Sequence, residues 1–164
     1  MLPTQADQLA RAIGLPEAFL SDEEGGGVIQ GSASEATLVA VLAARTRALR
    51  HMRRLKSGVS DHDLFSRMTL YASDQAHSSV QKAANIAGLE ANIRIIPTPG
   101  SRQSQKDPFA LDADDLVAAM AKDLADGLTP IFVAANVGST NTCAIDPVRS
   151  LAEGCRRWIF VDTT

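Results

Sequence analysis

Cysteine is nearly absent from this chain: Cys143 and Cys155 are the only two in 164 residues. A disulfide-stapled scaffold is thereby excluded, and the pair fits no metal-ligand spacing. A reducing, cytoplasmic setting is the simplest expectation. Aromatic residues are also scarce, with one Trp, one Tyr and five Phe. The core must therefore rest on Ala, Leu, Val and Ile. No apolar run approaches the roughly 20 residues of a membrane span, and no basic-then-apolar leader opens the chain. Positive charge is not in excess: the net charge of −3 argues against bulk binding to nucleic acid or anionic membrane. No internal repeat is visible.

What is present is a hydrophobic fraction of 45% over a length of about one domain. Leu9, Ala12 and Ile13 recur at helical spacing over 5–14, where Gly14 and Pro16 stop the helix. After the glycine turn Gly25-Gly26-Gly27, Ser32-Ala33-Ser34-Glu35 has the S-x-x-E pattern of a capping box. It opens a long helix to about Lys56, with Leu38, Leu42, Leu49 and Met52 as candidate core. Residues 57–63 read as a Ser/Gly/Asp linker. Strands are expected at 68–73, 92–96, 131–135 and 158–161. Helices are expected at 78–87, 112–126 and 147–155, the first opened by a second capping box at Ser78-Ser79-Val80-Gln81. Strands alternating with helices imply an α/β fold with a largely parallel sheet and helices on its faces. Ligands then bind beyond the carboxyl ends of the strands, which selects 73–79, 136–142 and Asp162.

Each candidate there has two readings. The turn at Gly25–Gly27 with its helix start is either an anion cradle or a flexible connection with an ordinary cap. The nucleotide motifs fail, because Ser32-Ala33 stands where a P-loop requires Lys-Ser/Thr, and Gln30 where a dinucleotide fingerprint requires glycine. His77 is either a surface residue or an imidazole able to stack on a heteroaromatic ring and move a proton near neutral pH. Thr140 either bonds a ligand or caps its turn. Asp162 either starts a loop or pairs with a protonated ring nitrogen. Arg45, Arg47, Arg50, His51, Arg53, Arg54 and Lys56 read as a solvated helix end suited to the dipole, without the interleaved aromatics of a nucleic-acid site.

Taken in order, four segments resemble the group II pyridoxal-phosphate-dependent amino acid decarboxylases, in the aromatic-L-amino-acid and histidine decarboxylase branch. They are Gly25 to Thr37, Tyr71 to Val80, Gly138 to Cys143, and Val161-Asp162. The resemblance covers nearly the whole chain. It implies the large cofactor domain of the fold-type I, aspartate aminotransferase-like enzymes, with 1–164 as a single partial domain. It implies pyridoxal 5′-phosphate as cofactor, an aromatic or related L-amino acid as substrate, its amine and CO2 as products, and a homodimer in the full-length protein. Ala33 and Ser34 would bind the cofactor phosphate, His77 would stack on the ring and assist proton handling, Thr140 would sit beside the ring, and Asp162 would pair with the ring nitrogen. Some relatives make aldehydes instead. Insect-type aldehyde synthases often carry asparagine where His77 stands, so His77 sides with plain decarboxylation.

The chain departs from the family after Asp162, where Thr163-Thr164 replace Ala-Ala-Tyr-Ala-Gly. None of Lys56, Lys82, Lys106 and Lys122 matches the family's cofactor-bearing lysine, which lies further on. The family's N-terminal segment is also missing. The expectation is a piece of a longer enzyme, inactive alone, with an open sheet edge that favours association. Two alternatives remain: a non-catalytic remnant that associates with a full-length relative, and a nucleotide-binding α/β domain.

Overall fold

The computed structural model describes residues 4–23, 25–56, 58–100 and 107–156, so the strand expected at 158–161 and Asp162 lie outside the described residues. The chain divides into two compact units, one ending at Ala36 and one beginning at Thr37.

In the first unit, helix α1 (Gln5–Ala12) starts at Thr4. The Thr4 hydroxyl accepts the Asp7 N–H at 3.1 Å, and the Asp7 carboxylate accepts the Thr4 N–H at 2.9 Å. This reciprocal box satisfies donors that a helix start leaves without partners. The same carboxylate accepts the Ser21 N–H at 2.8 Å and the Ser21 hydroxyl at 2.6 Å. These bonds, the Ser21 hydroxyl first and Thr4 next, hold Asp7 well below the usual carboxylate range. They also turn Asp7 and Ala10 inward, leaving Leu9 and Ile13 exposed. At Gly25 a Cβ would stand 2.2 Å from the Ala18 carbonyl oxygen, so only glycine allows that approach.

Helix α2 (Ala33–Leu55) leads into the second unit, followed by α3 (Asp61–Phe65), β1 (Met68–Ser73), α4 (Ser78–Ile86), β2 (Ile93–Ile96), α5 (Ala113–Ala125), β3 (Thr129–Ala134) and α6 (Val148–Cys155). The α3 helix corrects the linker expected at 57–63. Ser60 caps it by accepting the Asp63 N–H at 3.2 Å, and Asp61 and Asp63 supply an acidic first turn.

The sheet order is β2-β1-β3, all parallel. Every residue of the central strand β1 is buried, as expected for a parallel sheet covered on both faces. Successive side chains point to opposite faces. Leu70 therefore packs with Val41, Leu49 and Met52 of α2, Leu64 of α3 and Ala83 and Ala84 of α4. Tyr71 packs on the other side with Leu116 and Met120 of α5 and Leu151 of α6. Each fully buried leucine contributes about 1.5–3 kcal/mol. β3 begins two residues earlier than the sequence reading placed it. Pro130 cannot donate to the ladder, and the register shift against Thr69 and Leu70 accommodates it.

One buried polar network ties the sheet to α5. The Tyr71 hydroxyl donates to Asp123 at 2.8 Å and lies 2.9 Å from the Thr69 hydroxyl. Arg94 on β2 bonds both Asp123 oxygens through Nε at 3.1 Å. Burial, with the Asp123 carboxylate adding to it, pushes the Tyr71 phenol well above its ordinary range. α4 stops at Gly88, whose φ of +74° suits glycine, with the Leu89 N–H returning to the Ala84 carbonyl at 2.8 Å.

Candidate functional site

Because all three strands are parallel, their carboxyl ends share one edge, and the loops after β1 and β3 leave it side by side. A hydrogen bond joins them there: Asn136 Nδ2, just after β3, donates to the buried Ser73 hydroxyl at the end of β1 at 3.0 Å. The loop after β1 is short. The Asp74 N–H goes to the Ile96 carbonyl of β2, and the Ala76 N–H returns to Ser73, both at 3.0 Å. His77 follows and is exposed, with its backbone extended at φ −61° and ψ 144°.

His77 is itself the N-cap of α4, which corrects the capping box expected at Ser78. Its Nδ1 accepts the Ser79 N–H at 3.2 Å and lies 3.0 Å from the Ser79 hydroxyl. An imidazole nitrogen thus plays the part usually taken by a Ser, Asn or Asp oxygen. A nitrogen that accepts a backbone N–H carries no proton, so the neutral ring holds its proton on Nε2. Among the described residues nothing bonds Nε2.

Thr140 lies in the loop after β3 and is exposed. It does not cap that turn. Gly138 at φ +81° opens the bend, the N–H groups of Gly138 and Ser139 converge on the Ala144 carbonyl at 3.0 and 3.1 Å, and the Ser139 and Thr142 hydroxyls meet at 2.5 Å. Thr140 is left at the tip with its hydroxyl uncommitted among the described residues. The base of the loop rests on Asp146, which is buried. Its carboxylate accepts the N–H of Leu111 at 2.8 Å and of Asn136 at 2.6 Å. The sequence reading missed Asp146, because an Ile-Asp-Pro run reads as an ordinary helix entry.

Ala33 and Ser34 occupy the first turn of α2, in the first unit, and both are exposed. Ser32 caps the helix by accepting the Glu35 N–H at 3.2 Å, as the S-x-x-E pattern anticipated. Asp162 lies outside the described residues.

A cleft of about 170 Å³ opens beside His77, against Ser73, Val80 and Ile95. A larger hollow of about 370 Å³ lies elsewhere, lined by Leu111, Ala113, Ile145 and Pro147 with Asp107 and Asp112. The larger hollow carries two carboxylates, and the smaller cleft sets one, Asp74, beside the polar side chains of His77, Ser78 and Gln81. Cys143 is exposed and Cys155 half-buried, both as free thiols, and burial raises Cys155 above the usual thiol range. Among the described residues, no group of three His, Cys, Asp or Glu side chains could hold a metal ion, and no helix is long and apolar enough to cross a membrane.

Comparison with known proteins gives one family. The profile described as the pyridoxal-dependent decarboxylase conserved domain matches residues 4–164. The chain is 44% identical over 161 residues to the aromatic-L-amino-acid decarboxylase of Sus scrofa, covering 95% of this chain and 31% of that protein. It is 40% identical to phenylacetaldehyde synthase of Arabidopsis thaliana, over 95% of this chain and 30% of that one. Among solved structures it resembles the Oryza sativa TDC crystallised with PLP and tryptamine, at a TM-score of 0.74 and 42% identity, covering 93% of this chain and 30% of the other. The chain thus spans about a third of the length of the relatives it matches.

Proposed function

Because the chain belongs to the pyridoxal-dependent decarboxylase family, we propose that residues 1–164 are the N-terminal part of the large cofactor domain of an enzyme that converts an aromatic L-amino acid to its amine and CO2. The single observation that carries this reading is the exposed imidazole of His77. It stands just past the carboxyl end of the central parallel strand, with its Nδ1 committed to Ser79 and its Nε2 uncommitted among the described residues.

The residues present suit pyridoxal 5′-phosphate. First-turn N–H groups at Ala33 and Ser34 favour a phosphate through direct donation and the helix dipole. The face of His77 offers a flat surface for a pyridine ring. The Thr140 hydroxyl supplies a hydrogen-bonding group at the same sheet edge, and the Asp162 carboxylate would keep the ring nitrogen protonated. When bound, the cofactor supplies a sink for the electron pair released as CO2 leaves Cα. His77 then holds or delivers a proton at Nε2, the nitrogen not used by Ser79. Retention of histidine here favours an amine product over an aldehyde. Two free thiols fit a reducing, cytoplasmic setting, and we propose that the full-length protein is a homodimer.

The test is a titration of the purified chain with pyridoxal 5′-phosphate, followed by absorbance with and without borohydride. Reversible binding weakened by Asp162→Ala is expected. A borohydride-fixed adduct on one specific lysine among Lys56, Lys82, Lys106 and Lys122 would contradict the proposal that the covalent lysine lies elsewhere. No binding at all would overturn the cofactor assignment. For a longer protein containing this segment, amine production lost in His77→Asn is expected, and unchanged production would remove His77 from the chemistry.

A further inference from the structure

Ser79 is one of the few polar side chains buried in the second unit, at 7% exposure. It has no place in the cofactor contacts named above. Both of its hydrogen-bonding groups nevertheless meet one atom. Its N–H is 3.2 Å and its hydroxyl oxygen 3.0 Å from His77 Nδ1. A backbone donor alone would fix the helix start. A second donor on the same nitrogen, supplied by a buried side chain with limited freedom to turn away, also fixes the rotation of the ring.

We propose that Ser79 is the positioning residue of His77. Its paired donors keep Nδ1 as an acceptor, hold the neutral imidazole as the Nε2–H tautomer, and lock the ring so that its face and its Nε2–H are turned outward at the end of β1. A ring free to rotate or change tautomer would present its Nε2 donor only part of the time. The orientation of ligating or catalytic histidines is commonly set by a partner on the other nitrogen, and here that partner lies two residues ahead on the helix the histidine caps. The arrangement couples the start of α4 to the protonation pattern of the site. This inference deepens the cofactor-site reading of His77 and rests on it for its consequence, while the hydrogen-bond pattern itself involves only His77 and Ser79.

The experiment is nitrogen-15 NMR of the full chain labelled at histidine and serine, with His77 identified by the loss of its signals in His77→Asn. The wild type is expected to show an unprotonated, hydrogen-bonded Nδ1, a protonated Nε2, and a through-hydrogen-bond coupling between the Ser79 amide nitrogen and Nδ1. In Ser79→Ala the Nδ1 resonance should shift towards that of an unbonded ring and its line should broaden as the ring gains freedom to rotate, while the backbone signals of α4 stay in place. Ser79→Thr, which keeps the hydroxyl, should restore the wild-type pattern. A protonated Nδ1 in the wild type, or an unchanged ring in Ser79→Ala, overturns the proposal. If Ser79→Ala does not fold, Ser79→Cys decides, because a thiol is a weaker donor than a hydroxyl: an Nδ1 resonance moved towards that of an unbonded ring upholds the pairing, and an unchanged one refutes it. Failure of pyridoxal phosphate to bind a chain that shows the coupling would remove the cofactor reading, and leave the Ser79 pairing standing.

Discussion

Replacing His77 by alanine and by asparagine separates two tasks that one side chain performs. As N-cap, Nδ1 accepts the Ser79 N–H at 3.2 Å, and Ser79 is buried. Alanine leaves that donor without a partner and with little access to water. Loss of an N-cap acceptor costs about 0.5–2 kcal/mol. The distance is at the long end of the N–H acceptor range, which places this cap near the middle, at about 1 kcal/mol, or about a fivefold loss in the folding equilibrium. Asparagine is among the strongest caps, so His77→Asn should unfold within a few tenths of a kcal/mol of the wild type. Both variants lack the imidazole face and should lose cofactor affinity alike. Urea unfolding by circular dichroism measures the first effect, and pyridoxal phosphate absorbance the second. If His77→Asn were as unstable as His77→Ala, packing of the ring rather than capping would be its structural role, which would refute the N-cap assignment.

The buried network gives a larger effect. Arg94→Met removes the ion-pair partner of Asp123, whose side chain is 7% exposed. Breaking a buried pair costs about 3–5 kcal/mol, reduced here to about 2–3 because Arg94 is partly solvated, and denaturant midpoints should show it. Tyr71→Phe, which leaves Asp123 with Arg94, should cost only about 1–2 kcal/mol. The pH dependence follows from Asp7. Its folded pKa is depressed, so its contribution is fully present above the unfolded carboxylate value of about 4 and is lost as pH falls below it. Protection of the α1 amides from exchange should therefore weaken in acid, and Ser21→Ala should flatten that dependence. If the profile is the same in Ser21→Ala, the carboxylate is not held by Ser21. Asp146→Asn turns an amide N–H₂ towards one of two backbone donors, and should cost about 1–3 kcal/mol. The amide signals of 136–145 should broaden first.

Element order was legible because period and punctuation agreed. The alternation of apolar runs with Gly88, Pro147 and the acidic first turn of α5 marked strands and helices within a residue or two. The exceptions have local causes. Ser60, Asp61 and Asp63 are turn-forming residues in composition but a cap and first turn in place, so α3 read as linker. Ser78-Ser79-Val80-Gln81 matched a capping pattern, yet the cap moved one residue back, because a histidine nitrogen can do what a hydroxyl does. The Thr4–Asp7 box is a local T-x-x-D pattern open to sequence reading, but its Ser21 partner was invisible because it lies 14 residues away. The role of Asp146 was hidden both by its Ile-Asp-Pro setting, which resembles a helix entry, and by an acceptor bond that spans 35 residues.

The same comparison shows why this edge of the sheet suits a site. Of the buried polar residues in the second unit, Ser73, Ser79 and Asp146 all lie beneath the two loops at the strand ends. Ser73 joins the loops through Asn136, Ser79 grips His77, and Asp146 ties Asn136 to Leu111. Burying a polar group costs free energy unless it is bonded, and each of these is bonded to a loop. The exposed His77 and Thr140 are therefore carried on loops whose positions are fixed from below. Function and stability divide accordingly. If His77 and Thr140 contact the cofactor as proposed, changes to Thr140 should leave stability nearly untouched while weakening cofactor binding, whereas changes to Ser73, Ser79 or Asp146 should weaken it by displacing His77 and Thr140, which pyridoxal phosphate titration and denaturant unfolding would separate.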